Sequence, residues 1–269
     1  MKRSLLFLGL VILAGSFTSC KKYKNKEVYA NVPVYMEYED FRNSFVFEEG
    51  AIPVEHPGNI CIQNNYSFVG DEDKGVHVLD NTEQTNPFFM GFMNIPGATE
   101  LAVQGTNLYV NSFIDLLTID ISNVSEPVVV NRMQDVFTYS TPISNENYPV
   151  ADIYKDRGVV VGWNIELTKE VSGFGAKLFV ADCDECEQTE IQTKSAASVR
   201  INLAGSRSQF AIINDYLYAL DDGDIKSFNI SSTAPTFGYQ TKTWVEPETL
   251  FPAGDLLYVG TTTGMKIFD

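Results

Sequence analysis

The sequence predicts an all-β fold of stacked four-stranded antiparallel blades, about five of them visible and the last incomplete. Three observations carry the prediction. An aromatic residue holds the same place in a local strand pattern at Phe68, Tyr109, Tyr218 and Tyr258, spaced by 41 residues in the first pair and 40 in the last. Gly, Asn or Asp falls between the first two strands of each copy, where a tight hairpin needs residues that tolerate positive φ. Each copy then runs into a third strand, followed in three copies by a polar turn ending in Pro. A recurrence near forty residues with four short strands per unit is the signature of a β-propeller. One such sheet cannot cover both its faces, and stacking neighbours around an axis does so.

The first element along the chain is a leader over residues 1–19. Lys2 and Arg3 precede the apolar run from Leu5 to Ala14, which reads as a secretory signal and is too short for a spanning helix. The run Phe17-Thr18-Ser19-Cys20 resembles the lipobox of bacterial lipoproteins. That resemblance implies cleavage before Cys20 and lipidation of Cys20. Several acyl chains would hold the protein stably on a bilayer, where one chain gives only marginal binding. Residues 20–33 read as a lipid-anchored tether that opens with four lysines among Lys21 to Lys26. Near anionic head groups each lysine adds about 1 kcal/mol of attraction; a solvated linker accounts for them equally well.

The chain carries 19 basic and 35 acidic residues, a net charge of −16, and loses Lys2 and Arg3 with the leader. Phosphate binding needs the opposite field, so nucleic acid is not expected as a partner.

Residues 34–269 hold the blades. The first hairpin strands read Asn59-Ile60-Cys61-Ile62 with Tyr66-Ser67-Phe68-Val69, then Glu100-Leu101-Ala102-Val103 with Leu108-Tyr109-Val110. They continue as Gln209-Phe210-Ala211-Ile212 with Tyr216-Leu217-Tyr218-Ala219, and Thr249-Leu250-Phe251-Pro252 with Leu256-Leu257-Tyr258-Val259. The turns are Asn64-Asn65, Gly105-Thr106-Asn107, Asn214-Asp215 and Gly254-Asp255. Third strands begin near Val76, Leu116, Ile225 and Met265, and fourth strands follow Pro87 and Pro127.

The units Gly75-Val76-His77-Val78-Leu79-Asp80-Asn81 and Leu117-Thr118-Ile119-Asp120-Ile121-Ser122-Asn123 resemble the motif of the LVIVD-repeat proteins, as does Asn94-Ile95-Pro96-Gly97 leading into the next blade. The resemblance covers roughly residues 35–269. It implies a β-propeller, and many members are lipoproteins of Bacteroidota, so an envelope location is implied as well. It brings no chemistry with it.

Between the second and third clear copies the chain is longer. Asp152-Ile153-Tyr154 and Gly158 to Trp163 read as the first hairpin of a divergent blade, Leu178 to Ala181 as a later strand, and Asn164 to Lys177 as a polar insertion. The last unit stops at Asp269, which aligns with Asp80 and Asp120 at the end of a third strand. Two readings stand. A strand near Val34 to Tyr38 or Phe45 to Phe47 could complete the blade and close a five-bladed ring, or the product is truncated and forms an open arc, with the balance slightly towards truncation.

Several residues invite a chemical reading. Cys183-Asp184-Glu185-Cys186 has redox or zinc half-site spacing, but a zinc site needs four ligands and no second such pair exists. In an exported protein the pair reads as a local disulfide closing an acidic turn. Cys61 aligns with Ala102 and Ala211 and reads as a small buried hydrophobe. Asp71-Glu72-Asp73 and Asp221-Asp222-Gly223-Asp224 are oxygen-rich turns of a kind that can hold Ca²⁺, without EF-hand spacing, and solvated acidic turns explain them first. His77 is not repeated in the other copies and has no support as a general base. No metal site and no cofactor is expected.

One repeated position stands out. Nine residues before each aligned aromatic lie Asn59, Glu100, Gln209 and Thr249, all polar. In a propeller the first strand is innermost, so these residues are expected to ring one mouth of the central channel, as a ligand site or simply as residues that meet channel water. The function that follows is a non-catalytic binding or scaffold lipoprotein. It is lipid-anchored in the bacterial envelope, most simply at the outer membrane facing the periplasm, with the bilayer and an envelope protein or glycan as partners. The alternative is a carbohydrate-active enzyme using acidic residues at the mouth, which needs a second carboxylate facing Glu100.

Overall fold

A computed structural model describes residues 26–173, 176–180 and 209–269. Cys20, Cys183 and Cys186 lie outside the described residues. The chain opens with β1 (Lys26–Met36), the short helix α1 (Tyr38–Arg42) and β2 (Val46–Glu49). Four antiparallel sheets in the meander order of propeller blades follow. The first holds β3 (Pro57–Gln63), β4 (Tyr66–Asp71), β5 (Gly75–Asp80) and β6 (Phe88–Asn94), with β2 added outside β6. The second holds β7 (Leu101–Gln104), β8 (Asn107–Ser112), β9 (Asp115–Asp120) and β10 (Val128–Met133). Next come β11 (Val159–Gly173) and β12 (Ala176–Val180), which pair with β1 in a three-stranded sheet of their own.

The third blade holds β13 (Phe210–Ile213), β14 (Tyr216–Asp221), β15 (Asp224–Asn229) and β16 (Thr236–Lys242). The last holds β17 (Pro247–Ala253), β18 (Leu256–Thr261) and β19 (Gly264–Phe268), with no fourth strand among the described residues. The predicted β-propeller is therefore what the chain forms: among the described residues it has four blades, the last with three strands, and a further antiparallel sheet, consistent with about five.

The repeat explains the geometry. The cross-strand pairs Cys61–Phe68, Ala102–Tyr109, Ala211–Tyr218 and Phe251–Tyr258 occupy one register. The hairpins at Asn64, Gly105, Asn214 and Gly254 all take φ between 52° and 60°, the left-handed conformation that Asn and Gly reach at least cost. Gly97 also has positive φ, +76°, and a Cβ there would fall 2.4 Å from the Phe113 ring, so the turn into the second blade has room only for glycine.

Alternate side chains face opposite neighbours. Phe68, Val76 and Val78 of the first blade pack on Leu101, Leu108, Val110, Leu117 and Ile119 of the second. Ala102, Tyr109 and Leu116 pack on Phe210, Leu217, Ala219 and Phe228 of the third, and Ala211, Leu220 and Ile225 on Leu250, Leu257 and Val259 of the last. Each fully buried Leu, Ile or Val here contributes about 1.5–3 kcal/mol of transfer free energy.

The structure corrects two expectations. Gly158 to Trp163 is not the first hairpin of a blade. Lys155–Arg157 forms a single 3-10 turn, and Val159–Gly173 runs on as one long strand through residues read as a polar insertion. It pairs with β1 from Lys26–Glu170 to Met36–Val159, so the sheet begins inside the stretch read as tether. The inner strands β7 and β13 meet directly, which leaves this sheet outside the succession of blades. The segments considered as closing strands are also used elsewhere: Val34 to Met36 pairs with β11 and Val46 to Glu49 with β6.

A polar hub fastens the N-terminal segment. Phe41 of α1 is buried against Phe113. Arg42 Nε and Arg132 NH1 each donate to Asp115 Oδ2 at 3.2 Å, and the Asp135 N–H donates to Asp115 Oδ1 at 2.9 Å. The Asp115 side chain is fully buried. Tyr139 ties in β11, donating to Gly158 O at 2.9 Å and accepting from Val160 N at 3.2 Å.

Candidate functional site

The four residues singled out by the repeat begin the innermost strands. Asn59 is the third residue of β3, Glu100 and Gln209 immediately precede β7 and β13, and Thr249 is the third residue of β17, paired with Gly260 of β18. Three of them converge. The Asn59 side-chain amide, from the first blade, donates to Glu100 Oε2 of the second. The backbone N–H of Gln209, from the third, donates to the same oxygen at 2.9 Å. Asn59 and Glu100 are both buried. One carboxylate thus links three successive blades at the axis. The reason is local: residues at this strand position face forward, as Ala102 does two places on, so the Asn59 and Glu100 side chains reach the next blade. Thr249 faces forward on the last blade.

The sequence reading missed the residues around this carboxylate. Asn111 Oδ1 accepts from Thr99 N and Glu100 N at 2.9 and 2.8 Å, and its Nδ2 donates to Gly97 O and Thr99 Oγ1 at 3.2 and 2.9 Å. It fixes the turn that delivers Glu100. Asp221 accepts from Thr138 N and Oγ1 at 3.0 Å and from Lys226 Nζ at 2.6 Å.

In the first blade the equivalent Asp71 accepts from Glu55 N at 2.9 Å, His56 N at 2.8 Å and His77 Nε2 at 3.2 Å. Burial opposes ionisation of Asp71, but those donors outweigh it and hold its carboxyl below the ordinary value. His77 is fully buried between that carboxylate and the Phe92 ring, 4.6 Å away. The first and third turns read as oxygen-rich therefore spend Asp71 and Asp221 on loop donors. Among the described residues no three His, Cys, Asp or Glu side chains are grouped to hold a metal ion.

Cys61 donates from Sγ to Leu101 O at 3.3 Å, and burial, then the Glu100 charge, push its thiol up to about 11. It is an inert packing group, as its alignment with alanine implies.

Two spaces open beside the inner strands. A cavity of about 110 Å³ is lined by Glu100, Asn111, Thr138, Gln209, Asp221 and their neighbours. It brings Glu100 and Asp221 to one space, yet it is smaller than the roughly 150 Å³ that admits a benzene ring. Adjoining it through Gln209, Leu220, Asp221 and Asp222 is a groove of about 580 Å³ between the third and last blades, walled by Asp224, Lys242, Trp244 and Glu246. Trp244 is 85% exposed and has φ +61°, so it projects at the rim.

The sequence matches the LVIVD repeat model over residues 56–94 and 97–135, the first two blades. The chain carries LVIVD repeats. These repeats form β-propellers, in accord with the blades described above. No curated protein matches the chain. Among solved structures it is similar to the computationally designed Ika8 protein, at 12% identity and TM-score 0.34 over 79% of this chain and 57% of that one. It is similar to the N-terminal domain of Nup159, at 13% identity and TM-score 0.33 over 80% and 60%. It is also similar to BamB from Moraxella catarrhalis, at 12% identity and TM-score 0.34 over 91% and 71%. The chain spans about three fifths of the length of the first two.

Proposed function

We propose that the LVIVD propeller is a membrane-anchored lipoprotein of the bacterial envelope, held through acylated Cys20 at the outer membrane and facing the periplasm. It acts as a non-catalytic binding or scaffold module for a protein or glycan partner. The observation that carries the reading is the groove of about 580 Å³ beside the inner strands with Trp244 exposed on its rim. The space is shallow and open to solvent, which suits the surface of a protein or glycan better than an enclosed small molecule, and an exposed Trp beside polar groups is the residue type that most often anchors a partner. Asp222, Asp224 and Glu246 along the wall favour a partner that presents cationic or hydrogen-bond-donating groups.

The carbohydrate-active alternative gains less. Glu100 and Asp221 do line one cavity, but its volume does not accommodate a sugar ring, and each carboxylate already accepts donors from neighbouring blades or loops.

The test is capture from envelope extracts with the tagged, lipidated full chain, beside Trp244→Ala and Cys20→Ser. A protein partner recovered with the parent chain and lost with Trp244→Ala, together with loss of Cys20→Ser from the membrane fraction, supports the proposal. Capture of glycan alone narrows the partner to that class. Equal capture by the parent chain and Trp244→Ala removes the groove from the argument.

A further inference from the structure

Trp244 is held over the groove by both of the blades that wall it. Its neighbour Thr243 is fully buried. The Thr243 N–H donates to Gly223 O of the third blade at 3.1 Å, and its hydroxyl donates to the same oxygen at 2.7 Å. Lys266 Nζ of the last blade donates to Thr243 O. Trp244 itself stands at φ +61°, a conformation that costs a non-glycine residue about 1–3 kcal/mol and persists only where the surroundings fix it. The result is an indole 85% exposed on a corner tied to both walls. Among the described residues no cation lies over this ring, although Tyr35, Tyr38, Phe41 and Tyr139 each carry one.

The groove beside the ring is acidic. Asp221, Asp222, Asp224 and Glu246 line it, against one amine, Lys242. Two of these carboxylates are already engaged: Asp221 faces Lys226 at 2.6 Å, and Asp224 accepts from Gln240. Asp222 and Glu246 are exposed, and among the described residues nothing pairs with either side chain. We propose that the groove receives an arginine side chain of a partner protein, its guanidinium stacked on Trp244 and paired with the carboxylates of Asp222 and Glu246. The inference rests on the groove being the recognition surface, and it narrows the partner to a protein. A neutral glycan would stack on the ring but leave the excess negative charge uncompensated. A guanidinium answers both features, because it is planar, lies flat on an indole and offers N–H groups in a fork that fits a carboxylate. The chain builds the same arrangement within itself. Arg42 lies over the Tyr38 ring, 5.3 Å from its centre, while donating to both oxygens of Asp135 at 3.1 Å. The Asp135 side chain is 68% exposed, so this pairing forms at a wet surface.

The experiment is fluorescence polarisation of a dye-labelled peptide of alternating glycine and arginine, titrated with the detergent-solubilised full chain. A citrulline peptide keeps the shape of arginine without its charge, and a lysine peptide keeps the charge without the plane. The arginine peptide is expected to bind, more weakly as salt rises, and the other two to bind several-fold less. Trp244→Ala should weaken arginine binding about fivefold and Glu246→Gln about threefold, with Trp244→Tyr, which keeps a ring, losing less than Trp244→Ala. Circular dichroism should show the same strand signal in each variant. Glu49→Gln removes an equal charge from β2 of the first blade and should bind as the parent does, which separates the groove from the general pull of a chain with net charge −16. A parent chain that does not bind the arginine peptide, that binds the citrulline or lysine peptide as well, or whose binding survives Trp244→Ala overturns the proposal. Should the arginine peptide fail while a protein or glycan is still captured from envelope extracts through Trp244, the arginine partner falls and the binding-module reading stands.

Discussion

Glu100 is the residue at which the repeat and the fold meet, and replacing it tests both. Its Oε2 accepts from the side chain of buried Asn59 and from the backbone N–H of exposed Gln209, so Glu100→Leu leaves one buried donor without its acceptor and releases a second towards solvent. A hydrogen bond to a charged group contributes about 1.5–3 kcal/mol, and a buried donor left unpaired costs about 1–3 kcal/mol. The unpaired Asn59 amide, with a smaller loss at the Gln209 N–H that water can reach, puts the cost at about 2–4 kcal/mol, a large fraction of the roughly 5–15 kcal/mol that holds a domain together. Glu100→Gln keeps one acceptor oxygen and the side-chain volume, so it should lose less than half as much. The assay is urea unfolding followed by tryptophan fluorescence. With a slope near 2 kcal/mol per molar, a 3 kcal/mol loss moves the midpoint down by about 1.5 M.

The position of the effect matters as much as its size. Because the carboxylate joins three blades, amide exchange should rise at the starts of β3, β7 and β13 together, leaving β11 unchanged. A Glu100→Leu variant within 1 kcal/mol of the parent chain, or exchange confined to β7, would refute the account of Glu100 as a three-blade link.

Three other expectations are independent of that site. Asp115→Ala leaves two guanidinium groups facing a buried void and should cost about 3–5 kcal/mol, with faster amide exchange in α1 as Arg42 loses its inner anchor; an effect under 1 kcal/mol would mean that Asp135 alone holds Arg42. Asp71 has a depressed folded value, so its contribution is fully present above the unfolded carboxyl value near 4 and is lost as pH falls through the lower folded value. The stability gap between the parent chain and Asp71→Asn should therefore be flat from pH 5 to 8, at about 1.5–3 kcal/mol, and close below pH 4; a gap that instead widens below pH 4 contradicts the geometry. Cys61, with its thiol at about 11, should resist iodoacetamide at pH 8 when alkylation is mapped by peptide mass, and become reactive only in denaturant.

The blades were legible in the sequence because their signals reinforce one another. A period-2 pattern, an aromatic at fixed register and a turn residue suited to positive φ coincide in all four copies, and the structure places left-handed φ at each of those turns. The long strand from Val159 to Gly173 was not legible. Beyond Trp163 it exposes Asn164, Ile165, Glu166 and Leu167 in succession, so no inward face imposes alternation, and its polar residues read as a loop. The partner that makes it a strand is β1, more than a hundred residues away. The same logic divides the site. Glu100 was found because its position is polar in every copy. Asn111 was hidden because its register holds Gly70, Leu220 and Gly260 elsewhere, and Trp244 because it lies outside the repeated pattern.

The convergence of Asn59, Glu100 and Gln209 also changes what the polar ring means. A ring of side chains waiting for a ligand at a channel mouth should present donors and acceptors to the channel. Here Glu100 turns one oxygen sideways, to its neighbours on both sides, and Asn59 gives its amide to the next blade. Asp71 and Asp221 do the equivalent at the turn between second and third strands, each drawing in the backbone of an incoming loop and a basic side chain from its own third strand. These acidic groups are tied into the joints between blades and loops, at the same end of the sheets. Recognition by this propeller is then expected where that stitching stops: in the groove that Trp244 overhangs, one blade along from Glu100, where the wall residues Asp224 and Lys242 stand at the ends of strands.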